Sequence, residues 1–416
     1  MVYQFLKILV GFTLKIFFQK IYISGTEHVQ NNKAQLVASN HPNGFLEPLI
    51  MACFFPKDLH FLVRGDVFDN PFLKPLLIAT HQIPIFRFRD GFSKLRENSQ
   101  TMDESTQVLI DKKNLLIFAE GGTQSIKKLR PLQKGIARIA FQTLEKQPDL
   151  DLEILPVGIN FTEPSKFNKE VMLRVSPPLK VKPYFEKYLH DKNKAMDQLL
   201  TDLYNKMVEN VVHLEDQDKS HFFENMLEAQ RSLAPNEVFP IMNDNTSCID
   251  AEKSIANDVD QCAEEKYFDL KSKEQIVTKK LKASKITWSD LSKLSPTILR
   301  WIGLVIGFIP AISGYLMHII PITIGRRFTS TKVKQKEFKA SILMVSILVL
   351  TLIQYIILGI IIVFTKATWV WMVIFIILGL IARFYYTYYS NTVFINKNKF
   401  DTIKSDAQNI LTELKN

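Results

Sequence analysis

The stretch 35-QLVASNHPNGFLEPLIMACFF-55 predicts the architecture of the chain. Its first five residues are an apolar run typical of a strand, His-Pro-Asn-Gly at 41–44 is typical of a turn, and 45–55 is typical of an apolar helix. Similar strand-like runs recur, most of them separated by helical patterns such as 134–146; they lie at 59–64, 83–88, 114–120, 154–161 and 171–179. This alternation predicts an α/β fold in which a mixed sheet is covered by helices.

The length allows more than one domain. The 416 residues suffice for an α/β core of about 200 to 250 residues and a second part. We assign 25–215 to the α/β domain and 291–416 to a C-terminal membrane region. Residues 216–290 carry mixed charge, few aromatic residues and turn residues such as 243–247. We therefore predict a polar, partly ordered connector there.

The formal net charge is +10, which suits anionic lipid headgroups, anionic substrates or nucleic acid. The basic residues flank apolar segments, at 279–285 and 326–336, where a membrane surface is the natural counter-charge. We expect membrane lipids as partners and no nucleic acid.

The cysteine and histidine content argues against three other classes of protein. Cys53, Cys248 and Cys262 have no Cys-x-x-Cys spacing, which disfavours a disulfide scaffold or a zinc ribbon and fits a reducing cytoplasm. The eight histidines are scattered rather than clustered with acidic residues, so we expect neither a metal nor a cofactor. The absence of a Gly-x-Ser-x-Gly motif argues against a serine hydrolase.

Residues 1–24 predict a helix that lies in the membrane interface. Polar residues or glycine recur at three- and four-residue intervals on one face of an otherwise apolar helix, at Gln4, Lys7, Gly11, Lys15 and Gln19. The alternative is a simple membrane span of about 20 residues.

The C-terminal membrane region contains three apolar segments. The second and third, at 341–364 and 368–389, are each long enough to span a bilayer. The link 365–367 is so short that the two segments must form a hairpin.

The first apolar segment, 298–322, differs from the other two. It carries Pro310 and Pro321, and basic residues flank it on both sides. Spanning would place one basic cluster on the wrong side of the membrane, so we expect a re-entrant or interfacial segment. This arrangement places the α/β domain, the 326–339 loop and the C-terminus in the cytoplasm.

His41 and Glu47 are the candidate catalytic pair. A regular helix cannot pair them, because six residues at about 100° each lie on different faces, so the turn must bring them together. A carboxylate fixes the tautomer of an imidazole and raises its basicity, and the other ring nitrogen can then take a proton from a hydroxyl. The alternative for an isolated pair is a His that caps the turn and a Glu on a solvated helix face.

Four blocks in order resemble the phospholipid/glycerol acyltransferase family over roughly residues 30 to 215; they are 40-NHPNGFLE-47, 83-IPIFRFRDG-91, 118-FAEGGTQS-125 and 154-ILPVGINF-161. The resemblance implies the glycerolipid acyltransferase fold, with members that acylate glycerol-3-phosphate or lysophosphatidic acid. In the first block Asn40 and His41 match the family pattern. Glu47 stands in the place of the family's Asp, after five intervening residues where most members have four.

The other three blocks imply substrate-binding residues. Arg87 takes the phosphate-contacting place with Arg89 nearby, and two guanidinium groups after a strand suit a phosphate. The alternative is a basic edge strand. In the third block Phe118, Glu120 and Gly121 match, Ala119 replaces Pro, and the family's Arg is missing.

Basic residues after the third block are candidates to replace that lost charge; they are Lys127, Lys128, Arg130 and Lys134. Gly121 and Gly122 allow close backbone approach, so their amides are candidates to bind an anion. Pro156 in the fourth block is assigned to the wall of the acceptor and acyl-chain site, with a clean strand end as the alternative.

The resemblance implies a membrane-bound acyltransferase of phospholipid biosynthesis. His41 is the general base, and the acyl group passes from acyl-CoA or acyl carrier protein to glycerol-3-phosphate, dihydroxyacetone phosphate or lysophosphatidic acid. We expect it at the inner (cytoplasmic) membrane, with the catalytic domain facing the cytoplasm. The alternative is a non-catalytic membrane protein that keeps the fold to bind lysolipid or to act as a scaffold.

Overall fold

A nine-stranded sheet lies at the centre of the computed structural model, which describes residues 2–86, 98–234 and 238–416. The strands are β1 (Lys20–Ser24), β2 (Ala34–Ser39), β3 (Leu59–Arg64), β4 (Gln82–Ile85), β5 (Asn114–Phe118), β6 (Leu152–Phe161), β7 (Glu170–Val175), β8 (Leu179–Lys180) and β9 (Met242–Asn243). Their order is β4-β3-β5-β2-β6-β7-β1-β9, and β8 pairs with β6. The pairs of β6 with β7 and β8 are antiparallel and the others are parallel, which confirms the predicted mixed sheet.

Helices follow most of the strands and continue to the C-terminus. In the first half they are α1 (Val2–Phe17), α2 (Leu46–Phe54), α3 (Lys74–Ala79), α4 (Asn98–Ile110), α5 (Gly135–Lys146), α6 (Lys182–Tyr188) and α7 (Lys192–Val208). In the second half they are α8 (Ser220–Arg231), α9 (Ser247–Gln261), α10 (Glu264–Ala283), α11 (Ile298–Met317), α12 (Ile319–Lys332), α13 (Lys336–Thr365), α14 (Val370–Ser390) and α15 (Lys397–Lys415).

The two central strands, β2 and β6, are buried along their whole length, as is usual for inner strands of a sheet with helices on both faces. On one face of the sheet, α4, α5 and α7 enclose a core that includes Leu109, Phe141 and Leu203. On the other face, α1 and α2 pack together with the first turns of α13. The sheet is therefore covered by helices on both faces, and the carboxyl ends of β2 and β5 meet at one edge.

Pro156 lies inside β6 rather than at its end. Along one edge of β6, β8 pairs as far as Ile154 and β7 pairs from Val157 onward. The carbonyl of Pro156 faces that edge, where it accepts a hydrogen bond from the Ser176 amide at 3.0 Å. The missing N–H of proline therefore falls in the gap between two partner strands, where no ladder hydrogen bond is lost.

The N-terminal helix is shorter than the predicted 1–24, because it ends at Phe17 and residues 20–24 form β1. Part of the predicted polar stripe contacts the protein, since Gln4 and Lys7 donate hydrogen bonds to Asp58 at 2.7 and 3.1 Å, whereas Lys15 is exposed. The outward face is apolar and exposed, and consists of Val2, Phe5, Ile8 and Phe12. An exposed apolar face suits a membrane surface, and the interfacial placement of α1 stays a prediction.

Residues 216–290 are not the polar connector that their composition predicted. They form α8, α9 and α10, which share a buried core with α15. Two ion pairs also join α10 to α15, between Lys273 and Glu413 at 2.5 Å and between Lys280 and Asp406 at 2.7 Å. The prediction was wrong because α15, which covers these helices, follows the three long apolar helices in the sequence, although it lies within the predicted membrane region 291–416.

The C-terminal apolar segments form α11, α13 and α14, each long and apolar enough to cross a membrane by length and composition. The hairpin between α13 and α14 turns at Lys366, which has a left-handed backbone conformation (φ 54°). The first segment divides at His318 into α11, which contains Pro310, and α12. Its re-entrant placement stays a prediction.

The membrane hairpin is tied to the N-terminal helix by Arg383 of α14. This guanidinium is buried, donates to the carbonyls of Ile16 and Phe18 at the end of α1, with 3.0 Å to Phe18, and lies 4.7 Å from the centre of the Phe167 ring. Carbonyls at the end of a helix lack intrahelical hydrogen-bond donors, so Arg383 supplies the donors that these two carbonyls would otherwise lack.

Replacing Leu411 of α15 with alanine tests the folded helical unit. Leu411 is 2% exposed, and we expect Leu411→Ala to lower the free energy of unfolding by about 2 to 5 kcal/mol, because it opens a cavity in the core. Thermal unfolding of the detergent-solubilised protein measures this as a lower Tm. The matched control is Leu189→Ala, since Leu189 is 67% exposed. Equal Tm values for the two variants would mean that 216–290 has no shared core with α15.

Candidate active site

The turn after β2 brings His41 and Glu47 together. His41 follows the carboxyl end of β2, and Glu47 lies in the first turn of α2. The Nδ1 atom of His41 lies 3.5 Å from Oε1 of Glu47. The side chain of His41 is 14% exposed and that of Glu47 is fully buried. The pair that a regular helix cannot form is thus formed by the turn, with Glu47 behind the imidazole and away from solvent.

Burial dominates the electrostatics of Glu47. Removal from water raises the pKa of its carboxyl group, and the neighbouring His41 offsets part of that rise. The Asn43 amide donates a hydrogen bond to Oε1. Among the described residues, Oε2 has no hydrogen-bond partner. The carboxyl group is therefore held on one side and directed at the imidazole.

Asn43 shapes this turn, although sequence reasoning did not single it out. Its side-chain oxygen accepts from the amides of Phe45 at 3.3 Å and Leu46 at 3.2 Å, at the start of α2. Its side-chain nitrogen donates to the carbonyl of Pro164 at 2.7 Å. An Asn just before an apolar helix is a signal that could have identified it, because Asn is favoured where first-turn amides need an acceptor.

Glu120 connects the third block to the first. Its carboxylate accepts a hydrogen bond from the His41 backbone amide at 3.1 Å. It also accepts from the backbone amide and from Nη2 of Arg130, both at 2.9 Å. Glu120 is 6% exposed, so these bonds form away from bulk water. The role of Glu120 in this structure is to hold His41 and Arg130 in place.

The His41 ring stacks on the ring of Phe118, with the centroids 3.8 Å apart and the planes 11° from parallel. Beyond Phe118 the chain turns at Gly121, whose φ of 69° favours glycine. The Gly121 amide donates a hydrogen bond to the Phe118 carbonyl at 3.1 Å, and the Gln124 amide donates one to the His41 carbonyl at 3.2 Å. The third block therefore packs directly over the imidazole.

The lysines that were candidates for phosphate binding all have acidic partners. Lys127 Nζ lies 3.7 Å from Glu252, Lys128 Nζ lies 2.6 Å from Glu215, and Lys134 Nζ lies 2.9 Å from Asp197. Arg130 is bound to Glu120 and to the carbonyl of Gly122. These cations stabilise contacts within the protein, which the sequence did not reveal because the partners of the lysines are far along the chain. Arg87 and Arg89 lie outside the described residues.

Asn40 is also used within the fold. Its side chain accepts from the Ile159 amide at 2.8 Å and donates to the Ile159 carbonyl at 2.9 Å. This pair of bonds joins the end of β2 to β6 and keeps His41 at the sheet edge. Beside it lies a cavity of about 80 Å³, which Pro42, Ser125 and Lys127 help to line. It is small compared with ligand pockets of about 300 to 1,000 Å³, so it cannot by itself enclose a whole ligand of that class.

The arrangement is suited to proton transfer. The buried carboxylate faces Nδ1 of His41, so Nε2 is the nitrogen left to take a proton from a bound hydroxyl. In the part of the chain that the structure describes, no three His, Cys, Asp or Glu side chains group together as metal ligands would.

A family model described as Acyltransferase matches residues 20–160. The match begins at β1 and extends into β6, so it includes the turn from His41 to Glu47 and the third block. An uncharacterized acyltransferase of Schizosaccharomyces pombe is 31% identical over 104 residues, which cover 24% of this chain and 15% of that protein.

Two relatives come from Saccharomyces cerevisiae. Glycerol-3-phosphate O-acyltransferase 1 is 31% identical over 97 residues, or 23% of this chain and 13% of the relative. Glycerol-3-phosphate O-acyltransferase 2 is 25% identical over 112 residues, or 27% of this chain and 15% of the relative. The matched segment therefore spans only about a seventh of the length of these relatives.

Among solved structures, one match is the crystal structure of the 1-acyl-sn-glycerophosphate (LPA) acyltransferase PlsC from Thermotoga maritima. Its TM-score to this protein is 0.33 and its sequence identity is 15%, and the aligned part covers 45% of this chain and 72% of the PlsC chain. The family resemblance drawn from the four blocks is confirmed by the family model and the yeast relatives. Residues 20–160, less than half of the chain, are therefore similar to the acyltransferases of phospholipid and glycerolipid synthesis.

Proposed function

We propose that this protein is a membrane-bound O-acyltransferase that moves a fatty acyl group from acyl-CoA or acyl carrier protein to a phosphorylated glycerol-type acceptor. Glycerol-3-phosphate, dihydroxyacetone phosphate and lysophosphatidic acid are the acceptors to be compared. The observation that carries the proposal is the placement of Nδ1 of His41 3.5 Å from the buried Glu47, inside the domain that the family model matches.

In the proposed reaction, the acceptor hydroxyl attacks the carbonyl carbon of the thioester while Nε2 of His41 takes its proton. The new carbon–oxygen bond replaces the carbon–sulfur bond, and the proton passes to the departing sulfur. Glu47 holds Nδ1 and favours the protonated imidazole that forms during attack. Stacking on Phe118 fixes the plane of the ring.

For the oxygen that becomes negative, we propose backbone amides of the third block as hydrogen-bond donors. The amides of Gly122 and Thr123 donate to no acceptor within the described ranges, whereas those of Gly121 and Gln124 are already used. Preorganised donors of this kind stabilise a developing oxyanion. For the acceptor phosphate we propose Arg87 and Arg89, since Lys127 and Arg130 are engaged with acidic residues. We assign Pro156 to the buried wall behind the site.

We also propose that the catalytic domain faces the cytoplasm at the inner membrane. The three long apolar helices give the chain the means to be membrane-bound, and the stretch 326–339, at the end of α12 and the start of α13, is basic. Basic loops stay on the cytoplasmic side. The apolar face of α1 would then lie in the same membrane surface.

Replacing His41 with alanine tests the general base. We expect His41→Ala to lower kcat by about 100- to 10,000-fold, the usual contribution of a positioned base. The measurement is thiol release from acyl-CoA or acyl carrier protein by the purified protein with each acceptor, and the control is His190→Ala, at an exposed position. Absence of turnover in the wild type with every donor and acceptor, alongside intact lysolipid binding, would identify a non-catalytic binding protein.

Shortening Glu47 tests whether the turn is built for glutamate. Glu47→Asp withdraws the carboxylate by about 1.5 Å, the length of one carbon–carbon bond. We expect kcat to fall about tenfold, equal to roughly 1.4 kcal/mol of transition-state stabilisation. Glu186→Asp is the matched control, because Glu186 is exposed on α6. A kcat at or above that of the wild type would show that the aspartate of other family members fits this turn equally well.

Removing the charge of Glu47 separates stability from activity. Because burial raises the pKa of Glu47 in the folded protein, the neutral form favours folding at low pH, and this advantage is lost as pH rises through the folded pKa. Glutamine cannot ionise, so Glu47→Gln should match the wild-type Tm near pH 4 and exceed it at pH 7.5, while kcat falls.

Thermal unfolding across this pH range measures the effect, with Glu186→Gln as the control. A Glu47→Gln variant with a lower Tm than the wild type at pH 7.5 would contradict the assigned cost of burying the Glu47 carboxylate.

A further inference from the structure

The start of α13 lies against the catalytic turn, although it belongs to the membrane region. The backbone carbonyl of Glu337 accepts a hydrogen bond from the Gly44 amide at 3.0 Å. The ring of Phe338 covers Gly44 so closely that a Cβ atom on Gly44 would overlap the ring. Gly44 lies midway between His41 and Glu47, so this contact is made at the centre of the turn.

The hydrogen bonds of the turn show how much depends on this contact. His41 donates its amide to Glu120, and Asn43 donates its amide to Glu47. Pro42 has no N–H, so the remaining backbone donor between residues 41 and 44 is the Gly44 amide. Its acceptor is the one supplied by a residue outside the α/β domain.

The contact is anchored by the core below it. Ala340, Ser341 and Met344 of α13 are buried, and two of them share a core with Leu46 and Ile50 of α2. The Ser341 hydroxyl donates to the Phe338 carbonyl at 3.0 Å, which fixes the first turn of α13. The later part of the same 30-residue helix is the long apolar segment that suits a membrane. One rigid element therefore extends from the catalytic turn to the membrane region.

We propose that Phe338 and the backbone carbonyl of Glu337 are positioning groups that hold the His41–Glu47 turn in its active geometry, so that acyl transfer depends on the docking of α13. The proposal rests on the proposed function, because it assigns the turn a catalytic geometry. Neither group touches the reacting atoms. Phe338 limits the movement of Gly44, and the Glu337 carbonyl fixes the direction of its amide.

The primary experiment compares Phe338→Ala with Phe364→Ala in the full-length protein in lipid nanodiscs. Phe364 is a matched control, because it lies on the same helix and is 83% exposed at its far end. A misplacement of about 1 Å can cost roughly 100-fold, so for Phe338→Ala we expect kcat to fall about 10- to 100-fold with KM changed less than about twofold. Phe338→Leu should recover most of the lost kcat.

A second measurement does not require turnover. Hydrogen exchange of the backbone amides in 41–47 should be faster in Phe338→Ala than in Phe364→Ala, while exchange in β2 stays the same. Unchanged exchange in 41–47 together with an unchanged kcat would overturn the proposal. Loss of kcat with equally increased exchange across the whole domain would also overturn it, because Phe338 would then support only global stability.

A compensating pair of substitutions guards against a variant that fails to fold. Gly44→Ala should lower kcat because its Cβ meets the Phe338 ring, and adding Phe338→Ala should restore part of that loss. Independent, additive losses would contradict the proposed contact. If the wild type shows no turnover but exchange in 41–47 still responds to Phe338→Ala, the positioning inference stands and the proposed acyl transfer fails.

Discussion

The rest of the site is arranged around the burial of the Glu47 carboxyl group. An ionisable group removed from water costs several kcal/mol unless it is paired or hydrogen-bonded. Here the Asn43 amide and the His41 ring offset part of that cost, and both come from the same short turn. The turn must therefore keep one conformation, because any other would leave the carboxyl group buried without a partner. The imidazole of His41 therefore has a fixed position in the absence of substrate.

Contacts with four other parts of the chain enforce that conformation. Glu120 holds the amide of His41 from the loop after β5, and Asn40 joins the end of β2 to β6. Pro164 accepts from the Asn43 side chain, and the start of α13 accepts from Gly44. Each partner belongs to a different element, so the geometry of the site reports the assembly of the whole domain. This explains why residues assigned to substrate from the sequence are found holding the scaffold.

The sequence predicted most accurately those helices and strands that are specified by neighbouring residues in the chain. The strands from β2 to β7 and the helices α2 and α5 were placed from apolar runs and turn residues to within a few positions. The closure of His41 on Glu47 could also be predicted, because helix geometry excludes every other way to pair them. The acidic partners of Lys127 and Lys128 could not be predicted, since they lie on elements distant in sequence and leave no periodic trace. The helical unit of 216–290 could not be predicted for the same reason, because its covering helix α15 follows α14 in the sequence. The contacts of Gln4 and Lys7 on α1 with Asp58 are likewise made between residues distant in sequence.

The anchor between Arg383 and the end of α1 has a consequence for the order in which the chain is completed. Helix α1 ends in carbonyls whose donor is synthesised 365 residues later, counting from Phe18. Strand β1, which follows α1, likewise has no partner on one of its edges until β9 has been synthesised. Helix α1 is therefore synthesised long before the residues that complete its packing, so the position of its end is settled only when α14 has been made.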